Sequence, residues 1–281
     1  MRPVILIGAA RSGTKFLRDT LAAADDVCAV PYDINYVWRH GNEAYQSDVI
    51  PGDSCSESTR RYITNTVHKL ACKGDAGAGC KIILEKTVSN CLRVDYVNAV
   101  FPDALFIHLV RDGRDVIESS FRMWQKPSNP AYIFHKLKYF PLSDIRYAFW
   151  IFKELFKSAL GEPRIWGPRY NGIRSDLKSM RLLEVCARQW TECVDSAMQS
   201  FDNIPDKRVL TIRYEDLVAD ERCVRSACEF IGLDDCSSVI SAYRNNVMRD
   251  QVCQWTRAWN TDDTDAVMRI AGTTLERLHY L

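Results

Sequence analysis

The sequence of 281 residues lacks both a long apolar run and a strong excess of charge. No stretch reaches the roughly 18 consecutive apolar residues of a transmembrane helix. The first residues also lack the apolar segment and small-residue cleavage site of a signal peptide, so we expect a cytoplasmic protein. A formal net charge of +1 gives no long-range attraction to nucleic acid, and we expect no nucleic-acid partner. Any anion binding must therefore depend on local clusters of basic residues.

The eleven cysteines form no C-x-x-C pair and no Cys/His spacing typical of a metal site. Several lie inside apolar stretches, such as Cys186, Cys193 and Cys228, where a reduced cysteine packs as a small hydrophobic residue. Without a signal peptide, a secreted disulfide framework is disfavoured. We therefore expect reduced thiols and no metal site.

Short apolar runs alternate with amphipathic helical segments along the chain. The runs that predict buried parallel strands are residues 4–7, 81–84, 104–110 and 208–212. The segments with helical spacing are residues 16–24, 88–100, 115–124 and 182–200. This alternation predicts an α/β, P-loop-like three-layer fold with a central parallel sheet flanked by helices. The length favours a single domain over residues 1–281.

Two segments interrupt the alternation. Residues 37–79 are polar and predict a helix within a variable loop. Residues at about 125–180 mix proline, basic and aromatic side chains and form a variable insertion. Inside it, residues 144–157 predict an aromatic helix, either packed on the core, or serving as a lid over a site, or in peripheral contact with a membrane.

A glycine-containing loop, residues 8–15, lies between the first predicted strand and a helix. The backbone N–H groups of such a loop, together with the positive end of the helix, form a cradle for an anion. Arg11 and Lys15 add positive charge, and Ser12 and Thr14 add hydroxyl donors. The alternative is a tight turn with a solvated Arg11.

This loop departs from the Walker A pattern of nucleoside-triphosphate-binding proteins. That pattern places lysine directly after the second glycine and then a Ser or Thr that binds magnesium. Here Thr14 follows Gly13 and Lys15 comes one position late, so the metal-binding hydroxyl is missing. The loop is predicted to hold a phosphate group without a metal.

A second candidate anion site follows the third predicted strand. Arg111 lies at the carboxyl end of that strand, where open α/β sheets place their ligands. Ser119 comes eight positions later (119 minus 111), about two turns along the next helix, so both could contact one phosphate group. Asp112 and Asp115 suit the first turn of this helix, and salt bridges among these charges are the alternative. Asp112 could instead act as a magnesium ligand of the Walker B type.

Together the two sites resemble the sulfotransferase superfamily that uses 3′-phosphoadenylyl sulfate (PAPS). Its first hallmark is G-x-x-[RK]-S-G-T-[TS]-[FWL]-L, which residues 8–17 match except at Lys15. The resemblance implies that this loop binds the 5′-phosphosulfate, with Arg11 at the bridging oxygen, and that Arg111 and Ser119 bind the 3′-phosphate. The donor-binding residues of the loop are then Ala10, Arg11, Ser12, Gly13, Thr14, Lys15 and Phe16.

Two further segments support the resemblance. Glu85-Lys86-Thr87 is similar to the E-K-T segment of bacterial and Golgi-type members, and residues 212–217 are similar to a Y-E-D-L segment. The second implies that Tyr214 contacts the adenine, although a tyrosine at a strand end is also a common core residue. The resemblance spans residues 1–36, 81–124 and 185–232.

The sequence also departs from the cytosolic small-molecule members. Val88 stands where those members carry the catalytic histidine of K-T-H, and we find no C-terminal R-K-G. We therefore expect transfer of a sulfuryl group from PAPS to a hydroxyl of a carbohydrate or glycoconjugate, such as a polysaccharide or glycolipid, without a metal. A protein tyrosine is the alternative acceptor. A P-loop kinase using ATP and a non-catalytic nucleotide-binding module are the alternative functions.

The transfer needs a base within hydrogen-bond reach of the acceptor hydroxyl. Asp33 is the first candidate, Glu85 the second and His40 the third. Lys86 could contact the donor or the acceptor, or only neutralise Glu85. The alternative for Asp33 is a solvated carboxylate. In the insertion, Tyr132, Tyr139, Trp166 and Tyr170 are suited to stack on sugar rings, and for His108, inside an apolar strand, we expect a place in the core.

Overall fold

A five-stranded parallel sheet forms the centre of the computed structural model, which describes residues 1–72, 79–126 and 165–281. The strands are β1 (Arg2–Ile7), β2 (Val27–Ala29), β3 (Ile82–Glu85), β4 (Leu105–Val110) and β5 (Val209–Arg213). Their spatial order is β2-β3-β1-β4-β5, and all four pairings are parallel. The carboxyl ends of the strands therefore meet at one edge of the sheet, and the predicted α/β fold is confirmed.

Helices connect and cover these strands. The first five are α1 (Thr14–Leu21), α2 (Asn35–Trp38), α3 (Glu57–Ala71), α4 (Val94–Val100) and α5 (Gly113–Gln125). The others among the described residues are α6 (Ile173–Ser179), α7 (Leu182–Phe201), α8 (Tyr214–Ala219), α9 (Arg222–Ile231), α10 (Ser237–Asn246) and α11 (Thr261–Arg277). The described helices include none that combines the length and apolar character needed to span a bilayer.

The sheet separates two hydrophobic cores. Alternate residues of β1 face opposite sides, so Ile5 and Ile7 join one core while Val4 and Leu6 join the other. The first core contains side chains of α3, α4, α5, α7 and α11, and the second contains those of α1, α9 and α10. Buried on both faces, the central strands consist of continuous apolar runs, which is why the sequence revealed them.

The predicted elements agree with the structure where periodicity is strong. Strands β1, β3, β4 and β5 and helices α1, α5 and α7 all occur within a few residues of their predicted bounds. The helix predicted over residues 88–100 is divided into a 3₁₀ helix, Val88–Leu92, and α4, which begins only at Val94. The helix expected within residues 37–79 is α3, whose first turn is capped by Ser56 accepting from the Thr59 N–H. Strand β2 was not predicted, because three residues are too few to show the alternation of apolar and polar side chains that marks a strand. The helix predicted at 144–157 lies outside the described residues.

One pair of cysteines contradicts the expectation of reduced thiols. Cys28 in β2 and Cys80, two residues before β3, form a disulfide with a Cα–Cα distance of 6.0 Å. Parallel pairing of β2 with β3 brings these distant positions together, and the sequence alone could not show that pairing. The other nine cysteines, all within the described residues, are free thiols.

The histidine predicted to lie in the core is confirmed. His108 in β4 is 4% exposed, and its ring centroid lies 5.0 Å from that of Phe201. Burial lowers the pKa of His108 to about 4, because the charged imidazolium is poorly solvated there. His108 is therefore a neutral packing residue.

Candidate active site

The predicted site residues follow the five strands along one edge of the sheet. In spatial order, Asp33 follows β2, Glu85 ends β3, the glycine loop follows β1, Arg111 follows β4 and Tyr214 follows β5. The glycine loop follows the central strand, whose neighbours β3 and β4 lie on its two sides. This is the edge at which open α/β sheets bind ligands.

The glycine loop directs backbone N–H donors toward the space above the carboxyl edge of the sheet. Gly13 is the N-cap of α1, with φ of 93°, and no side chain caps the first turn of this helix. The N–H groups that open α1 have no partner within the helix, so they are available to an anion. At Gly8, a Cβ would lie 2.6 Å from the Leu109 carbonyl oxygen, so only glycine allows this approach to β4.

Arg11, Arg111 and Ser119 converge at the junction between this loop and α5. The Arg11 Nε donates to the Ser119 Oγ at 2.8 Å, and an Arg111 NH group donates to the Arg11 carbonyl at 3.1 Å. The backbone at Arg11 is left-handed, with φ of 75°, which turns its side chain toward α5. The two predicted anion sites are therefore contiguous.

These side chains form a locally positive site in a nearly neutral protein. The pKa of Arg11 is lowered, first by burial and then by repulsion from Arg111 and Arg122. Arg111 is 8% exposed and lies 3.7 Å from the Asp115 carboxylate, as the salt-bridge alternative predicted, but its buried Nε has no hydrogen-bond partner among the described residues. Because a buried, incompletely paired guanidinium is costly, an anionic ligand here would gain charge-assisted hydrogen bonds.

Tyr214 forms the floor between the loop and Arg111. Its ring lies under the Arg111 guanidinium, with 4.3 Å between the guanidinium carbon and the ring centroid. It is 5% exposed, and burial is the main cause of its raised pKa. Tyr214 therefore packs in the core beside Arg111. Its contact with the adenine stays a prediction.

Gly13 offers a sharp test of this packing. An alanine Cβ there would lie 2.5 Å from Cδ2 of Tyr214, at a φ that side chains rarely adopt. Gly172 has nearly the same φ, 92°, and no described atom lies within 4 Å of its Cβ position. We expect Gly13→Ala to lower the free energy of unfolding by about 1–3 kcal/mol more than Gly172→Ala, because both share the backbone strain and only the first creates a clash. Urea denaturation of both variants measures the difference, and equal losses would show that the ring moves aside freely.

Other loop residues differ in their exposure. Ser12 and Thr14 are buried, at 1% and 4% exposure, and Ala10 is also buried. Phe16 packs at the helix surface against Tyr243, with 6.0 Å between ring centroids. Lys15 is an exposed side chain, 76% accessible, and forms an ion pair with Asp19 one turn further along α1. Of the two cations in the loop, Arg11 therefore reaches the positive cluster and Lys15 faces solvent.

The candidate base Asp33 is held by the segment that follows β3. Its Oδ2 accepts from the Val88 N–H at 3.0 Å and lies 3.6 Å from the Lys86 Nζ. The neighbouring Ile34 N–H donates to the Thr87 Oγ1 at 3.1 Å. The carboxylate is partly exposed, at 21%, which leaves it accessible to an acceptor. Lys86 thus contacts Asp33 in the structure and orients the candidate base.

Glu85 occupies a different environment. It is fully buried, and its two oxygens accept from the Thr87 hydroxyl at 2.6 Å and the Asn90 amide at 3.1 Å. Burial raises its pKa to about 7, an effect that these hydrogen bonds oppose only in part. In this arrangement Glu85 supports the Asp33 loop through Thr87.

The raised pKa of Glu85 predicts a pH-dependent stability. The unfolded carboxyl ionises near pH 4.5, whereas the folded one ionises near pH 7, so the folded chain holds the proton longer as the pH rises. The free energy of unfolding should therefore fall by about 3 kcal/mol between pH 4.5 and 7 on account of this group. Glu85→Gln should lack this decline.

Urea denaturation at about pH 5 and about pH 7.5 measures the effect, because the titration of groups distant from Glu85 cancels between the wild type and the variant. Glu57→Gln is the matched control, since the Glu57 side chain is 85% exposed. The same pH slope in Glu85→Gln as in the wild type would contradict the assignment.

The remaining sequence candidates lie away from the positive cluster. His40 stacks on Tyr62 of α3, with 3.6 Å between ring centroids.

Tyr170 is 1% exposed and donates to the Asp176 carboxylate at 2.6 Å, so the prediction that it stacks on a sugar ring was wrong. A turn into α6 buries it, which its sequence position did not indicate. Trp166 is partly exposed, and Tyr132 and Tyr139 lie outside the described residues.

Asp112 acts as a cap within a network of ion pairs. Its carboxylate accepts from the Arg114 N–H at 2.9 Å and pairs with the Arg114 guanidinium at 2.8 Å. Its own N–H donates to Glu215 at 2.9 Å, which joins β4 to the start of α8. The capping alternative is confirmed, and both oxygens face a cation that would compete with magnesium.

A strap of residues 249–257, which the sequence did not predict, packs against the first turn of α5. The buried Asp115 carboxylate accepts from the N–H groups of Cys253 at 2.8 Å and Trp255 at 3.2 Å. Arg111 donates to the Gln251 carbonyl. The strap contributes backbone groups next to Arg111. Because backbone groups leave no side-chain motif, the sequence did not indicate this contact.

Comparison with known proteins agrees with this geometry. A profile of the Sulfotransferase family matches residues 3–146 and 167–237. The chain therefore belongs to the sulfotransferase family and is a sulfuryl-transferring enzyme. Among curated proteins, none is significantly similar to it in sequence.

Solved structures of sulfotransferases share the fold at low sequence identity. A sulfotransferase domain from the curacin biosynthetic pathway has a TM-score of 0.55 and 14% identity, over 96% of this chain and 97% of that one. A sulfotransferase from Mycobacterium avium has a TM-score of 0.53 and 13% identity, over 98% and 76% of the two chains. A mouse sulfotransferase complexed with PAP has a TM-score of 0.50 and 15% identity, over 98% and 85%.

Proposed function

We propose that the protein transfers the sulfuryl group of PAPS to a hydroxyl of a carbohydrate or glycoconjugate. The observation that carries the proposal is the convergence of Arg11, Arg111 and Ser119 beside the uncapped start of α1. Donors at two adjacent strand-to-helix junctions suit a nucleotide with two separate phosphate groups. The mouse sulfotransferase of the same fold is complexed with PAP, which supports the choice of donor.

Each half of the site has a separate task in this proposal. The N–H groups at the start of α1 and the Arg11 guanidinium hold the 5′-phosphosulfate. Arg111 and Ser119 hold the 3′-phosphate, for which Arg111 exchanges its contact with the Gln251 carbonyl. Tyr214, under Arg111, borders the space for the adenosine.

The transfer step displaces the nucleotide phosphate at sulfur. The acceptor hydroxyl oxygen forms a bond to sulfur, the bond from sulfur to the bridging oxygen breaks, and its electron pair leaves with the phosphate of adenosine 3′,5′-bisphosphate. Asp33 takes the hydroxyl proton, held in place by the Val88 N–H and Lys86. Arg11 stabilises the charge on the leaving phosphate, which lowers the barrier most when the cation is already in position.

The carbohydrate acceptor is supported by residues around Asp33. Val88 replaces the histidine of members that act on small molecules. Tyr32 is partly exposed beside Asp33, and its hydroxyl lies 3.4 Å from that of Tyr36. An aromatic face next to a carboxylate suits a sugar ring, which offers apolar C–H groups and hydroxyls together.

Transfer of radiolabelled sulfate from PAPS tests the function directly. Purified protein is incubated with labelled PAPS and separate polysaccharide, glycolipid and tyrosine-peptide acceptors. Label on a polysaccharide or glycolipid supports the proposal, and label on the tyrosine peptide alone overturns the acceptor class. Thermal stabilisation by ATP–magnesium but not by adenosine 3′,5′-bisphosphate would overturn the donor and favour a kinase.

Replacement of Arg111 tests the 3′-phosphate site. Arg111→Ala should weaken binding of adenosine 3′,5′-bisphosphate about 100-fold, because it removes a buried charge-assisted contact. Binding of adenosine 5′-phosphosulfate, which lacks the 3′-phosphate, should change less than about threefold. Isothermal titration calorimetry measures both. Arg222→Ala, at an 86% exposed side chain, is the control, and equal weakening of both ligands would contradict the assignment.

A further inference from the structure

Three cysteine sulfurs lie together where the edge strand β2 meets the approach to β3. Cys28 and Cys80 form the disulfide, and the free thiol of Cys72 follows α3. The three sulfurs all lie within 4.8 Å of one another. They come from separate elements, β2, the end of α3 and the approach to β3, so the tertiary structure alone brings them together.

We propose that Cys72, Cys28 and Cys80 form a thiol–disulfide exchange site. The Cys72 thiolate attacks the Cys80 sulfur, the Cys72–Cys80 bond forms and the Cys28–Cys80 bond breaks. The electron pair leaves with the Cys28 sulfur, which takes up one proton as Cys72 gives one up. The step needs no external oxidant or reductant, because one disulfide replaces another.

Accessibility gives the exchange its direction. Cys28 is 5% exposed, whereas Cys72 and Cys80 are both partly exposed. Attack at Cys80 therefore uses the two sulfurs that solvent reaches and leaves Cys28 as a buried thiol. The new bond closes a loop of eight positions (80 minus 72) instead of one of 52, so the chain loses less entropy when it forms.

The exchange changes the attachment of β2. With the Cys28–Cys80 bond, this edge strand of three residues is covalently tied to the approach to β3. After exchange, β2 is held by noncovalent contacts alone, namely its pairing with β3 and its packing against α1. Asp33 lies five positions after Cys28 (33 minus 28), on the loop that leaves the same strand. The disulfide state therefore regulates how firmly the Asp33 loop is held, a consequence that rests on the proposed function.

Peptide mapping tests the exchange without any activity measurement. Trypsin places the three cysteines in separate peptides: residues 19–39, 70–73 and 74–81. The full-length protein is kept near neutral pH with a trace of glutathione, treated with N-ethylmaleimide at intervals, digested and analysed by mass spectrometry. We expect the 19–39/74–81 pair to give way in part to a 70–73/74–81 pair, with maleimide appearing on Cys28.

Two variants complete the experiment. In Cys72→Ser, the 19–39/74–81 pair should persist, and its reduction by glutathione should be about tenfold slower than in the wild type, because the neighbouring thiol is missing. Cys55→Ser, at another partly exposed free thiol, should behave as the wild type. Absence of the 70–73/74–81 pair, or equal reduction rates in wild type and Cys72→Ser, would overturn the proposal.

Sulfuryl-transfer assays of the mapped forms then address regulation. The exchanged form should be less active, and the Cys72→Ser protein should keep constant activity during the same incubation. Exchange without any change of activity would overturn the link to Asp33 while leaving the chemistry of the cysteines intact. A protein that transfers no sulfate at all would refute the proposed function instead, and the peptide map would still stand.

Discussion

Asp33→Asn is expected to lower kcat about 10²–10⁴-fold with little change in KM for PAPS. The amide retains an oxygen that can accept from the Val88 N–H, a contact of 3.0 Å in the structure, so the loop geometry should persist. What the variant loses is the ability to take the acceptor proton. Steady-state kinetics with the best acceptor of the panel measures the effect, and circular dichroism checks the fold.

The same strand supplies a matched control for this variant. Asp26 lies at the other end of β2 and pairs with Lys81 at 2.9 Å, much as Asp33 pairs with Lys86 at the site. Asp26→Asn removes an ion pair that is more exposed and is worth little, so kcat should stay within about twofold. A normal kcat in Asp33→Asn together with a large loss of kcat in His40→Gln would identify His40 as the base instead of Asp33.

Arg11→Ala is expected to lower kcat about 10²–10³-fold, equivalent to about 3–4 kcal/mol of barrier. The guanidinium lies beside Ser119 and Arg111, where a cation in position stabilises the leaving phosphate without reorganisation. Arg11→Lys should recover only part of the rate, because an ammonium group cannot reproduce the planar contact. Rapid-quench measurement of a single turnover separates this loss from slower product release.

The contrast with Lys15 makes the Arg11 result specific. Lys15→Ala should cost less than about tenfold, because the side chain is exposed and paired with Asp19. Arg61→Ala removes an exposed arginine of α3 and should leave kcat unchanged. Equal losses for Arg11→Ala and Lys15→Ala would mean that the loop acts through total charge and that the position of Arg11 has no special role.

The match between sequence and site differs between the two ends of the sheet. Around Arg11 and Arg111, spacing along the sequence predicted where both residues lie. A loop directly after a buried strand and an arginine at a strand end must both lie at the carboxyl edge of the sheet. Around Asp33, the sequence named the residue without its partners. The Val88 N–H, Thr87 and Lys86 surround it because β2 lies beside β3, an order that no local pattern encodes.

The sequence by itself determined the fold class, the family and the two strand-to-helix junctions that we propose as phosphate sites. These depend on local features: apolar runs, glycines at strand ends and residues at fixed spacing on one helix. The tertiary structure alone decided the Cys28–Cys80 bond, the burial of Glu85 and the strap beside Arg111. Each of these joins parts of the chain that lie far apart, or follows from packing around one side chain. Only the folded chain sets such distances.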